Sequence, residues 1–140
     1  MKGRALGGFR RRRIVRPGAA DRGAGSVEVA VVAVVVLMLV FMIIQVGLFY
    51  HARKVAQSAA RQGVDTGRQL GASPGDGVAQ AEAFLAKFGG SVRGAAVSSA
   101  GSTAEELHIT VTGSVATLVP GLELTVSQDA HGPIERWTNP

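Results

Sequence analysis

From Val29 to Ile44 the chain carries no polar side chain at all. Gln45 is the first interruption, and Val46-Gly47-Leu48-Phe49-Tyr50 continue the apolar run. As a helix from Val29 to Tyr50 the segment is about 33 Å long at 1.5 Å per residue, close to the roughly 30 Å hydrocarbon core of a bilayer. A chain of 140 residues is too small to surround a helix that is apolar on every side. The run therefore predicts one transmembrane helix. Phe49, Tyr50 and His51 suit an interfacial belt at its far end.

Charge orients the span. Lys2, Arg4, Arg10, Arg11, Arg12, Arg13, Arg16 and Arg22 precede it, against the single acid Asp21. After it, Arg53 and Lys54 are the only nearby cations. The excess of lysine and arginine on one side predicts a cytoplasmic N-terminus and places residues 51–140 outside the cell membrane. The net charge of +5 thus belongs to the tail before the span; from Gly23 onward acids outnumber bases. The arginine run has one aromatic beside it, Phe9, and the adjacent span accounts for it better than nucleic acid does, so no nucleic-acid partner is expected. An ordinary secretory signal fits poorly. Its apolar core is about 7–15 residues and ends in a small-residue cleavage site, which Phe49-Tyr50-His51-Ala52-Arg53 does not offer.

The helix is expected to continue past the span. Ala52, Val55, Ala56, Ala59, Gly63, Val64 and Gly67 recur at three- and four-residue spacing. This stripe of small residues seats either the chain's own sheet or a neighbouring subunit. Gly71-Ala72-Ser73-Pro74-Gly75-Asp76-Gly77 reads as a linker, since it lacks the lysine of a phosphate-binding loop. Val78–Phe88 reads as a second helix with Ala79, Ala83, Phe84, Leu85, Ala86 and Phe88 on its apolar side, ended by Gly89-Gly90.

The remainder is strand-like. Residues 91–99 form a weak strand. Leu107, Ile109 and Val111 alternate with His108, Thr110 and Thr112, with Gly113 a candidate bulge. After a turn at Pro120-Gly121, Leu122, Leu124 and Val126 alternate with Glu123, Thr125 and Ser127. These strands predict an antiparallel hairpin with one face covered by the long helix. The segment from Gly132 to Trp137 reads equally as an edge piece or as a docked end. The fold class is α+β: a single transmembrane helix extended into an amphipathic helix, then a short helix and a small antiparallel sheet.

No catalytic constellation is visible, and no enzyme activity or cofactor is expected. With no cysteine there is no disulfide, thiol nucleophile or cysteine metal site. His51, His108 and His131 lie at the membrane edge, on a strand's polar face and in a loop; each reads as a solvated side chain rather than a metal ligand.

The feature that asks for a function lies at the other end of the span. Gly23-Ala24-Gly25-Ser26-Val27-Glu28 places a carboxylate at the membrane mouth, five residues after a glycine. A charge within a bilayer costs roughly 2.5–3.5 kcal/mol on insertion scales, and less near the interface. A glutamate in the first turn of a helix is favoured by about 0.3–1 kcal/mol through the helix dipole, and a headgroup-level pair with Arg22 is the plain alternative.

A basic leader, a glycine, a carboxylate five residues on, a continuous apolar helix and a small α+β domain together resemble type IV pilin-like proteins. Arg22-Gly23-Ala24-Gly25-Ser26-Val27-Glu28-Val29-Ala30 is similar to the corresponding stretch of TadE-like pseudopilins of the tight-adherence (Tad/Flp) pilus system, with Val29 where the family usually has an aromatic residue. The resemblance covers mainly residues 22–60. The domain after the helix is longer than that of the major Flp pilins, so the resemblance points to a minor pseudopilin. It implies cleavage by a prepilin peptidase between Gly23 and Ala24 on the cytoplasmic side, in a bacterial cell envelope. Glu28 then stands fifth in the mature chain and pairs with the terminal amine of a neighbouring subunit. A cut after Gly25 would leave Glu28 third, off the family pattern. The implied partners are the membrane, the peptidase, other pilin-like subunits and Tad assembly proteins. The implied layout is a leader over 1–23, the span over 24–50, a helix extension over 51–70 and an extracytoplasmic domain over 71–140. The competing reading is an uncleaved single-pass anchor presenting a small binding domain.

Overall fold

The computed structural model describes residues 21–136; the first twenty residues of the leader over 1–23, and residues 137–140 with Trp137 among them, lie outside the described residues. The elements run α1 (Asp21–Gly67), α2 (Pro74–Phe88), a short 3-10 turn (Gly89–Ser91), β1 (Val92–Ser98), β2 (Glu106–Val115) and β3 (Leu124–Pro133). The fold is α+β, as the sequence pattern predicts, with one helix among the described residues long and apolar enough to cross a membrane. The chain divides into two compact units, with the boundary inside α1 between Met38 and Leu39.

In the first unit α1 is apolar all round from Val29 to Met38. Val27, Val29, Val31, Val32, Val34 and Val35 are all more than half exposed. The most apolar window of the helix has a mean hydropathy of 3.2.

The second unit is an antiparallel sheet in the order β1-β2-β3, covered on one face by helices. Period-two alternation decides which face is covered. Leu107, Ile109 and Val111 of β2 are fully buried. Opposite them in β3 stand Gly132, Ala130 and Gln128. The small-residue stripe of α1 seats this domain: Ala52, Ala56, Ala59 and Ala60 are at 0 % exposure and Val64 at 5 %. Of the two readings of that stripe, the structure shows the chain's own sheet and α2 occupying it.

The two helices meet through glycines. A Cβ on Gly63 would lie 2.8 Å from the Gly77 carbonyl oxygen, and one on Gly77 would lie 2.6 Å from the Gly63 carbonyl oxygen. Neither backbone has room for a side chain at this contact. The buried face of α2 is accordingly Gly77, Ala81 and Leu85, one residue every four. Ala79, Ala83, Ala86 and Phe88, assigned to the apolar side by sequence, are exposed.

The α2 helix also begins earlier than the sequence reading placed it. The supposed linker contains a capping box. The Ser73 hydroxyl donates to Asp76 Oδ2 at 2.7 Å and accepts from the Asp76 N–H at 3.3 Å, while the Ser73 N–H donates to Asp76 Oδ2 at 2.8 Å. Pro74 follows in the first helical turn, where its missing N–H costs nothing. The hydroxyl bond and then the backbone bond from Ser73 hold the Asp76 carboxyl below its ordinary value of 3.8. A carboxyl that titrates lower in the folded chain adds stability that is present above the ordinary value and is lost as pH falls through the folded one. Carbon-detected NMR titration is expected to place the Asp76 midpoint below 3.8, and Ser73→Ala to move it back up. An unmoved midpoint would show that the box does not hold the charge.

Two further sequence expectations are corrected, and one left open is decided. The bulge lies in β1, not at Gly113. Arg93 pairs with Ser114 and Ala96 with Thr112, so Gly94 and Ala95 together face Gly113. Gly94 takes φ 58, which glycine alone adopts freely. Gly113 pairs regularly with Val126, and a side chain there would run into Val92. The α1 helix ends at Gly67 rather than near Leu70, and Gly71 at φ 82 redirects the chain. The choice left open for the segment after Gly132 is met in both ways over the described residues: Gly132 and Pro133 end the edge strand β3, then the Ile134 N–H donates to Glu105 O and the Glu135 N–H to Arg68 O, each at 2.9 Å.

Candidate functional site

Two places on α1 bear on function. The first is its opening. Gly23 and Ala24 fall in the first turn of the helix, since α1 begins at Asp21. Glu28 follows about one turn later and is exposed. Among the residues whose side chains are described, none pairs with it. An exposed carboxylate accepts hydrogen bonds at both oxygens.

The second place is where the apolar run meets the α+β domain. Gln45 is 6 % exposed and is the only buried polar or charged residue among those described. Its Nε2 donates to Ala116 O at 3.4 Å, and the Leu118 N–H donates to its Oε1 at 2.9 Å. Both ends of the amide are thus satisfied by the loop joining β2 to β3. Sequence reasoning treated Gln45 only as a break in the apolar run. A lone amide inside twenty or so aliphatic residues is itself a signal, since an unpaired amide in hydrocarbon is costly. Above Gln45, Leu48 and Phe49 pack against the domain core, and Phe49 meets Tyr50 edge to face with centroids 6.2 Å apart.

The histidines are arranged more closely than the sequence suggested. His131 lies in β3, not in a loop, and pairs directly with His108 of β2. Their ring centroids are 6.4 Å apart. His108 Nε2 is 3.5 Å from Asp129 Oδ2, and His131 Nε2 is 4.0 Å from Glu106 Oε1. His108 Nδ1 also lies 3.2 Å from Ala100 O. This is a polar cross-strand patch on the uncovered face of the sheet. His51 stands apart from it, exposed on α1. No group of three or more His, Cys, Asp or Glu is placed to hold a metal among the described residues.

An apolar helix with an exposed aliphatic surface, followed in sequence by a small α+β domain, is the layout of a single-span membrane protein. Residues 23–65 match the family model of TadE-like proteins, the segment in which the sequence carries that resemblance. The match begins at Gly23, takes in Glu28 and Gln45, and stops just short of the end of α1. It fits, with the N-terminal apolar helix, a membrane protein associated with a Tad pilus system. No curated protein and no solved structure matches the chain.

Proposed function

We propose that the chain is a minor pseudopilin: a membrane-anchored subunit or assembly factor of a Tad/Flp-type pilus or related secretion apparatus. It has no catalytic role and is instead the substrate of a prepilin peptidase, which cuts between Gly23 and Ala24. The observation that carries this reading is the TadE-like match over residues 23–65, which opens on the glycine and spans the glutamate five residues later. The N-terminus is cytoplasmic and the α+β domain extracytoplasmic, on the strength of the cations that precede the span.

The chemistry follows from those residues. Glycine at the scissile position leaves the backbone bare on one side, so it can lie close to a protease cleft. Cleavage frees an amine at Ala24 that carries a positive charge at neutral pH. Glu28, exposed on α1, accepts the amine of a neighbouring subunit. Opposite charges attract more strongly at the bilayer edge than in water, and each is costly there alone. Pairing therefore draws a processed subunit into a stack and leaves an unprocessed one out.

Intact mass and N-terminal sequencing of the membrane-extracted protein test this. The mature chain is expected to begin at Ala24, and Gly23→Val is expected to leave the leader in place. Glu28→Gln is expected to be cleaved normally yet to associate with partner subunits at least about tenfold more weakly, the scale of one charge-assisted hydrogen bond. A full-length chain in cells with active peptidase would support the uncleaved anchor instead. Unchanged association of the Glu28→Gln chain would remove the pairing step alone.

A further inference from the structure

The loop between β2 and β3, residues 116–123, is out of character for a turn in water. It is tied to α1 through Gln45, which bonds both Ala116 and Leu118. Beyond that tie it reverses at Val119–Leu122, where the Leu122 N–H donates to Val119 O at 3.3 Å. Pro120 is second in the turn and Gly121 third, at φ 79, the arrangement a type II turn requires. Turns of this kind usually display polar residues. This one displays Leu118, Val119 and Leu122, which are 50 %, 45 % and 39 % exposed, and residues 116–122 carry no charge. Among the described residues beyond Tyr50, the other exposed large apolar ones are Leu70 and Phe88, so the exposed aliphatic surface of the described domain is concentrated here.

The place of the loop says what covers it. Ile44 and Val46, on either side of Gln45, are 43 % and 51 % exposed, so the helix is apolar on its surface at the level where Gln45 ties the loop to it. Gln45 precedes Tyr50 by about 7.5 Å of helix rise. The headgroup zone on each side of a bilayer is about 5–8 Å thick. With the Tyr50 ring, 57 % exposed, at headgroup level, the loop stands at the edge of the hydrocarbon. We infer that the β2–β3 loop is a membrane-dipping apron: Leu118, Val119 and Leu122 enter the lipid surface beside the span and seat the α+β domain on it. The inference rests on the membrane-anchor reading of α1. It also accounts for Gln45, whose amide is satisfied by loop backbone where lipid offers no partner.

The chain has no cysteine, so single cysteines can report on it directly. Leu118→Cys, Val119→Cys and Leu122→Cys are labelled with an environment-sensitive fluorophore in the full chain, reconstituted in phosphatidylcholine vesicles. Val34→Cys serves as the span reference. Ala104→Cys, exposed near the opposite end of β2, serves as the water reference. The three loop labels are expected to emit to the blue of the Ala104 label and to lose most of their quenching by aqueous iodide. They are also expected to be quenched by lipids that carry a nitroxide near the headgroup. Loop labels that behave like the Ala104 label, with the Val34 label quenched by lipid, overturn the apron and leave the anchor standing. Labels shielded from iodide but untouched by the lipid nitroxide mean that a protein surface covers the loop, which also overturns it. A Val34 label open to iodide overturns the anchor reading and the apron together.

Discussion

Gly77→Val is expected to lower the unfolding free energy of the α+β domain by about 3 kcal/mol, the upper range for overpacking a tight contact. A Cβ at Gly77 would lie 2.6 Å from the Gly63 carbonyl oxygen and 3.3 Å from the Gly67 Cα. These are backbone atoms, which cannot turn aside as a side chain can. Valine is a better helix former than glycine, but that gain is well under about 1 kcal/mol and does not offset the clash. Gly75 supplies the contrast. It lies in the same helix, yet a Cβ there would meet only the Ser73 hydroxyl oxygen, at an ordinary 3.5 Å. Gly75→Ala is therefore expected to stabilise the helix slightly, by about 0.5 kcal/mol. Thermal unfolding in detergent, followed by circular dichroism, reads both: a fall on the order of 10 °C for the first and a small rise for the second. Equal midpoints for Gly77→Val and the parent chain would mean that the glycines serve a neighbouring molecule rather than this fold.

Ile109→Ala is expected to cost about 3–4 kcal/mol. Ile109 is fully buried in the central strand, opposite Ala130. Over it lies Gly63, whose added Cβ would sit 3.3 Å from the Ile109 Cγ2. Gly63 above and Ala130 opposite carry no long side chain that could swing into the space the lost methyl groups leave. The cavity stays open, and the cost falls well above the minimum for such a truncation. Leu118→Ala, on the exposed loop, is expected to change stability in detergent by no more than about 0.5 kcal/mol. Urea unfolding of both variants checks the difference. A near-zero cost for Ile109→Ala would show that α1 settles onto the sheet.

The elements legible in the sequence were those with a strict period. The uninterrupted run from Val29 to Ile44 announced the span, and Leu107, Ile109 and Val111 announced a strand with one covered face. What escaped depended on partners distant in the chain. Ser73 and Asp76 do have capping-box spacing, but Gly75 and Gly77 between and after them spoke for a loop. Gly113 looked like a bulge because a glycine in a strand has two explanations. Only the register, with Gly94 and Ala95 across from it, chose the close approach over the kink. Gln45 bonds backbone more than seventy residues away, a contact no local pattern encodes. At the candidate site, the order of Gly23, Ala24 and Glu28 was readable because it is a pattern of neighbours in the chain. The His108–His131 pairing was not, because it depends on how β3 lines up with β2.

The segment after β3 closes the domain against the end of α1. The polypeptide enters the α+β fold past Gly67, and the Glu135 N–H returns to the carbonyl of Arg68 beside it. Entrance and exit therefore share one pole, some 33 Å of helix rise from Gln45. The ties at Ile134 and Glu135 close the fold at the pole away from the loop that faces Gln45, so the backbone that leaves β3 also pins the turn that follows α1.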